Sequence, residues 1–290
     1  MKKMTAIIKK ELKSYFTNMS GYIFLFFFVL LTAVFYFMNN VLAGNGDYYI
    51  TIISTTILFL IMIPMITMRL FAEEQSQKTD QLLYTSPISV SGIVLGKFFA
   101  AVILLGIALI ITGLFPLMLN PYGTLPVSRI LGTYLGYFLL GTCFISVGIF
   151  ISVLTNSQIT AAIGTFAAVF GFYVSDGFIA NLPSDRISSI VFIAILTLII
   201  SYVLYDSTKN IKLALILFLL ICGICGAVYY LGPELYDGLI VKALKFISLM
   251  SRFGSFSMGV ISLSDLIYYF TFAFAFNYFT INVIEKRRWA

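Results

Sequence analysis

The sequence predicts an all-α integral membrane protein, a polytopic helical bundle of about eight transmembrane helices with cytoplasmic N- and C-termini. Three observations carry this. The 290 residues are 60% hydrophobic and 10% charged, whereas soluble domains run near 45–50% and about 25%. Apolar runs long enough to cross roughly 30 Å of hydrocarbon recur along the chain. The basic residues gather at the ends of alternate runs. No polar block is large enough for a soluble domain, so residues 1–290 read as one transmembrane domain.

Residues 1–20 open on MKKMTAIIKKELKSYF, with Met4, Ile7, Ile8, Leu12, Tyr15 and Phe16 on one helical face and Lys9, Lys10 and Lys13 opposite. That pattern predicts an amphipathic helix in the inner interface, its lysines toward anionic headgroups. It is too charged, and the apolar run after it too late and too long, for a cleaved signal peptide. Crossings are expected over 21–42, 48–68, 98–119, 130–154, 159–175, 187–205, 213–231 and 266–284. Pro64 should kink the second. The sixth and seventh form an added hairpin over 187–231, turning at Asp206-Ser-Thr-Lys-Asn210. An extracytoplasmic amphipathic helix is expected over 233–252. It starts at Pro233, with Leu235, Leu239, Ala243, Leu244 and Ile247 as its apolar stripe and Lys242 and Lys245 mostly opposite. It would rest on the outer leaflet or cap an exit path.

Charge sets the orientation. With the N-terminus inside, thirteen of the eighteen basic residues fall on the cytoplasmic side. Only Arg129, Arg186, Lys242, Lys245 and Arg252 fall outside, which is the positive-inside bias. The net charge of +6 is therefore topological, and no nucleic-acid partner is implied.

The most informative stretch is the polar island over 69–97, RLFAEEQSQKTDQLLYTSPISVSGIVLGK. It is a cytoplasmic coupling region by this topology, with two adjacent acids, Glu73 and Glu74. Thr79 can serve as an N-cap, with Asp80 at the positive end of a helix through Gln81, Leu82, Leu83 and Tyr84. Pro87 disfavours helix at Ser86, so this helix is only about two turns and needs a partner surface. Its apolar residues would dock on another protein or on the bundle, or the segment is a plain solvated loop.

Several chemistries are poorly provided for. There is no histidine, the commonest metal ligand and neutral-pH acid/base. Cys143, Cys222 and Cys225 lie in apolar runs, and the CxxC spacing of the last two has no basic neighbour to lower a thiol pKa. Gly92-Ile-Val-Leu-Gly96-Lys97-Phe98 has three spacers where a phosphate-binding loop needs four, and Phe98 where Ser or Thr must bind magnesium. An intramembrane enzyme lacks clustered acids or a nucleophile–base pair. A secondary transporter would place ionisable groups at mid-membrane, but Asp176 falls near the outer boundary, where water would solvate it. Asn277 reads as helix-packing glue. A secondary transporter or a non-transporting scaffold or sensor stays the alternative.

Phe71-Ala-Glu-Glu74, Thr79-Asp-Gln-Leu-Leu83, Thr85-Ser-Pro-Ile88 and Leu95-Gly-Lys-Phe98 resemble the signature of ABC-2 type transporter permeases. The N-terminal amphipathic helix is similar to that family's elbow helix. Gly254-Ser-Phe-Ser-Met-Gly-Val-Ile-Ser-Leu-Ser-Asp-Leu-Ile-Tyr-Tyr269 resembles the entry to the last crossing in gliding-motility-associated permeases. Six crossings are the family's basic set, which makes the hairpin over 187–231 an addition. The resemblance implies an ATP-driven exporter in a bacterial cytoplasmic membrane, paired with a second permease chain, identical or different. ATP and magnesium would bind a separate ATPase dimer, with no cofactor in this chain. The ATPase would dock on Glu73, Glu74, Thr79, Asp80, Gln81, Leu82, Leu83, Tyr84 and Pro87. The two acids would pair with the ATPase surface, or with Lys78 and the N-terminal helix. Scarce charge along the path suggests an amphipathic or apolar substrate. Gly132, Gly136, Gly141 and Gly148 permit close helix approach, between permease chains or within one bundle.

Overall fold

The structure, a computed structural model, describes residues 2–79, 88–119, 126–209 and 238–289. Every regular element among them is helical, as expected where the solvent offers no partner for backbone N–H and C=O groups. The N-terminal helix is α1 (Lys2–Thr17) and the first crossing is α2 (Ser20–Tyr36), which ends in a π-helical turn over Phe37–Leu42. The second crossing is built from α3 (Tyr48–Ser54), a 3-10 turn (Thr55–Leu58) and α4 (Phe59–Thr67), with α5 (Ala72–Ser76) beyond it. Then come α6 (Val90–Thr112), α7 (Phe115–Leu119), α8 (Val127–Leu154), α9 (Gln158–Ala180), α10 (Arg186–Thr208), α11 (Leu239–Ile247), α12 (Leu249–Ser257) and α13 (Leu263–Trp289).

Among the described residues, six stretches are long and apolar enough to cross a membrane: Ser20–Leu42, Tyr48–Ser76, Val90–Leu119, Val127–Leu154, Gln158–Ala180 and Leu263–Arg288. The sixth expected crossing is the continuous helix α10. The seventh, with Cys222 and Cys225, lies outside the described residues, as do residues 233–237 at the start of the outer amphipathic helix.

The chain forms two compact units, one of residues 1–173 and 252–290 and one of residues 174–251. In the first, α8 is the central helix: 72% of its most apolar window is buried, against 22% for the first crossing and 28% for the last. Lipid tails are as apolar as leucine, so close packing has to hold such a bundle. The Phe59 ring packs at a tilt against Tyr137, with centroids 4.3 Å apart, and edge-on against Phe144 at 5.7 Å. The 3-10 turn directs the Phe59 N–H to Thr56, and the Thr55 carbonyl instead accepts the Tyr137 hydroxyl at 3.1 Å. The regular helix is thus already interrupted before Pro64, which sits inside α4.

The fourth-crossing glycines pack within this chain. A Cβ on Gly136 would meet Phe256, one on Gly141 would meet Leu105 and Phe59, and one on Gly148 would meet Thr67. Gly132 lies against Phe256 and Gly259. Of the two uses open to them, these four serve the bundle interior. The Asn277 amide donates to Ala273 of its own helix at 2.8 Å, and its buried Oδ1 has no hydrogen-bond partner among the described residues.

In the second unit, Asp176 lies inside α9 and accepts the Ser248 hydroxyl at 3.1 Å. The amphipathic helix expected over 233–252 is two helices in its described part. Ser248 is extended, with φ −69° and ψ 125°, and separates α11 from α12.

Candidate functional site

The site grows from α5, a helix of five residues that could not persist alone, because one turn does not offset the nucleation cost. It is held at both ends. At the start, the Phe71 and Ala72 N–H groups donate to Ser152 Oγ on α8, at 3.2 and 3.1 Å. These are orphan donors of a helix N-terminus, capped by a serine from another helix. Gln75 returns the interaction by donating to the Val153 carbonyl at 3.2 Å, an orphan acceptor of the last turn of α8. At the far end, Lys78 takes φ 56°. Its N–H bonds Gln75 O at 3.1 Å, and the Thr79 N–H bonds Glu74 O at 2.9 Å. This is a Schellman closure, with lysine where glycine is usual. The Thr79 hydroxyl also donates to Glu74 O, so Thr79 closes α5. Its expected N-cap role, and the docking residues Asp80, Gln81, Leu82, Leu83, Tyr84 and Pro87, lie outside the described residues.

The adjacent acids have separate duties. Glu73 pairs with Arg69 through two parallel bonds, Nε to Oε2 at 2.8 Å and Nη2 to Oε1 at 3.2 Å. Glu74 turns toward Lys97, which is only 1% exposed. The Lys97 ammonium has three donors and meets three acceptors: the Leu70 carbonyl, Glu11 Oε1 at 3.0 Å and Glu74 Oε2 at 2.9 Å. The approach to Glu74 is a close ion pair set off the hydrogen-bond axis, because Oε2 makes no aligned hydrogen bond. Lys10 closes the circuit at 3.3 Å from Glu74 and 3.9 Å from Glu11. Lys10, Glu11, Lys97 and Glu74 thus form a ring of alternating, mutually cancelling charge. A buried ammonium is tolerable only with such compensation. The Phe71 ring lies 5.0 Å from Lys97 Nζ and adds a cation–π contact.

Local sequence explains how these groups meet. Ser89 caps α6 by accepting the Gly92 N–H at 3.3 Å, so the helix starts at Val90 and Lys97 sits two turns inside it. The coupling region expected to run to Lys97 therefore passes into helix at Val90. Gly92 to Phe98, the near miss to a phosphate-binding loop, is helical throughout. Gly96 lets α1 approach: a Cβ there would stand 2.7 Å from Ile7 Cγ2. Ile7, Glu11 and Tyr15, at i, i+4 and i+8, make the buried face of α1. The Tyr15 hydroxyl donates to Ile66 O at 2.9 Å. Burial, reinforced by the Glu11 carboxylate, pushes this phenol well above its usual range and keeps it a donor. Of the lysines expected to face headgroups, Lys10 turns to Glu74 while 60% of its side chain stays exposed.

Glu73 and Glu74 thus lie on α5 with Thr79 closing its far end, and the acids find their partners within the chain. Lys97, Glu11, Ser152 and Gln75 were missed as site residues. Glu11 carried a readable signal, since an acid inside the apolar stripe of an amphipathic helix calls for a buried cation. Elsewhere in the first unit, Arg252 binds Asp265 at 2.7 Å and lies over Tyr268. An apolar cleft of about 510 Å³ lies between α6 and α8, walled by Leu109, Ile110, Leu131, Leu135 and Phe138. Its one hydroxyl, on Tyr134, is paired with Tyr48 at 3.2 Å.

No curated protein matches the chain. A family model described as ABC-2 family transporter protein matches residues 9–174, from α1 through α5 and its cap Ser152 and into α9. Families of this kind supply the transmembrane component of ABC-type transporters and generally work with an ABC ATPase partner. The match covers more than half of the sequence, and the chain accordingly belongs to the ABC-2 transporter family as a multi-pass membrane permease.

Proposed function

We propose that this permease is the membrane-spanning subunit of an exporter in a bacterial cytoplasmic membrane, driven by a separate pair of ATPase subunits that dock on the island over 69–97, at Glu73, Glu74, residues 79–84 and Pro87. The observation that carries this reading is the tethering of α5. A helix too short to stand alone is bound to α1, α6 and α8 at once, so a push on it displaces three elements of the bundle together. ATP and magnesium act in the ATPase, and its closure drives alternating access between this chain and a second permease chain. The substrate is amphipathic or apolar, a reading supported by the apolar walls of the cleft between α6 and α8.

Leu82 and Leu83, in the expected coupling helix, make the direct test. The permease is co-expressed with its ATPase, and the two are co-purified before and after Leu82→Asp and Leu83→Asp. Loss of the ATPase with the permease still folded in membranes is the expected result. Undiminished co-purification would refute docking at this segment.

A further inference from the structure

A second property lies in the charge ring itself and rests on the docking reading above. Three charges, on Lys97, Glu11 and Glu74, are largely withdrawn from water, although buried ion pairs seldom stabilise a fold more than apolar residues of similar volume. They differ from apolar contacts in directionality. The Lys97 ammonium reaches a carbonyl at the end of the second crossing, an acid on α1 and an acid on α5, and each acceptor must keep its place. Apolar side chains at these positions would let the helices slide by a fraction of a turn at little cost.

We propose that Lys97 is a positioning residue, and that its ring joins α1 to α5 as one rigid lever. Force applied at the docking segment then moves the interfacial helix and the start of α6 in register with the second crossing. Three independent contacts serve the same joint: Tyr15 on the Ile66 carbonyl, Ile7 in the space left by Gly96, and Ser152 on the α5 N-terminus. They hold the elements close, and the ring sets their register.

The test is a distance measurement on the full-length permease in lipid nanodiscs. Nitroxides are placed at the exposed positions Lys13→Cys and Lys78→Cys, with Cys143, Cys222 and Cys225 replaced by Ser. Pulsed electron resonance then reads the α1–α5 separation in the permease alone and in its complex with the ATPase, with and without a non-hydrolysable ATP analogue. The unmodified ring should give one narrow distance that nucleotide leaves unchanged. An apolar pair outside the docking residues, Lys97→Met with Glu11→Leu, should keep the fold and the ATPase but lose the narrow peak and gain a nucleotide-dependent shift. The milder Glu11→Gln should broaden the peak without altering expression, and it stands in if the double variant does not fold. A narrow, nucleotide-independent distance in these variants would overturn the proposal, as would a nucleotide-dependent distance with the ring intact. If no ATPase binds the unmodified chain, the docking reading fails, while the permease-alone comparison still judges the ring.

Discussion

Replacing Ser152 by alanine should unfasten α5 from α8 and leave the rest of the bundle in place. Its hydroxyl accepts two N–H groups, from Phe71 and Ala72, whose residues are 1% and 0% exposed. Water cannot take over the lost acceptor. A buried donor left without a partner costs about 1–3 kcal/mol, and these two share one oxygen at 3.1–3.2 Å. The combined cost should therefore be about 2–3 kcal/mol. At about 1.4 kcal/mol per factor of ten, local opening becomes roughly 30- to 150-fold more frequent. Hydrogen–deuterium exchange reads this directly: the Phe71 and Ala72 amides should lose protection by that factor. Alanine is a better helix former than serine, so the last turns of α8 should stay as protected as before. Unchanged exchange at both amides would refute the cap, and equal acceleration along all of α8 would show a global effect in its place.

Gly96→Ala drives a Cβ into Ile7 and should cost about 1–3 kcal/mol by overpacking. It would free α1 to tryptic cleavage at Lys9, Lys10 and Lys13, and Ile7→Ala in the same chain should partly restore resistance. Arg252→Met leaves the Asp265 carboxylate, in a residue 8% exposed, without its guanidinium. Breaking a buried pair in this way costs about 3–5 kcal/mol, so the thermal midpoint in detergent should fall, and adding Asp265→Leu should recover most of the loss. Asp185 accepts the Ser188 hydroxyl at 2.8 Å and the Ser188 N–H at 3.3 Å, which holds its carboxyl below the usual aspartate range. A lowered folded-state pKa means the cap is present above the unfolded value and fails as pH drops through the folded one. Exchange at the start of α10 should therefore accelerate only under acid below the ordinary aspartate range, and Asp185→Asn should abolish that dependence.

Local chemistry made much of this protein legible. Long apolar runs can satisfy their backbone in lipid only as helices, so the all-helical fold and the crossings within 21–42, 130–154 and 266–284 follow from hydropathy alone. Ile7 and Tyr15 on the buried face of α1 followed from helical periodicity, and the polar island from the charge it carries. Boundaries were less legible at residues 90–97, because a hydropathy run stops at a lysine even where the helix does not. Ser89 was the available signal for an earlier start.

The sequence by itself thus determined a polytopic helical permease with an amphipathic helix before its first crossing and a polar island after its second, because hydrophobicity, period and capping act over a few neighbouring residues. Only the tertiary structure decided that Lys97 is buried, that Glu73 and Glu74 part to different cations, and that Ser152 caps a helix some eighty positions away. A lysine is affordable inside a membrane protein only when acids from other elements surround it, and no one-dimensional window contains all of them.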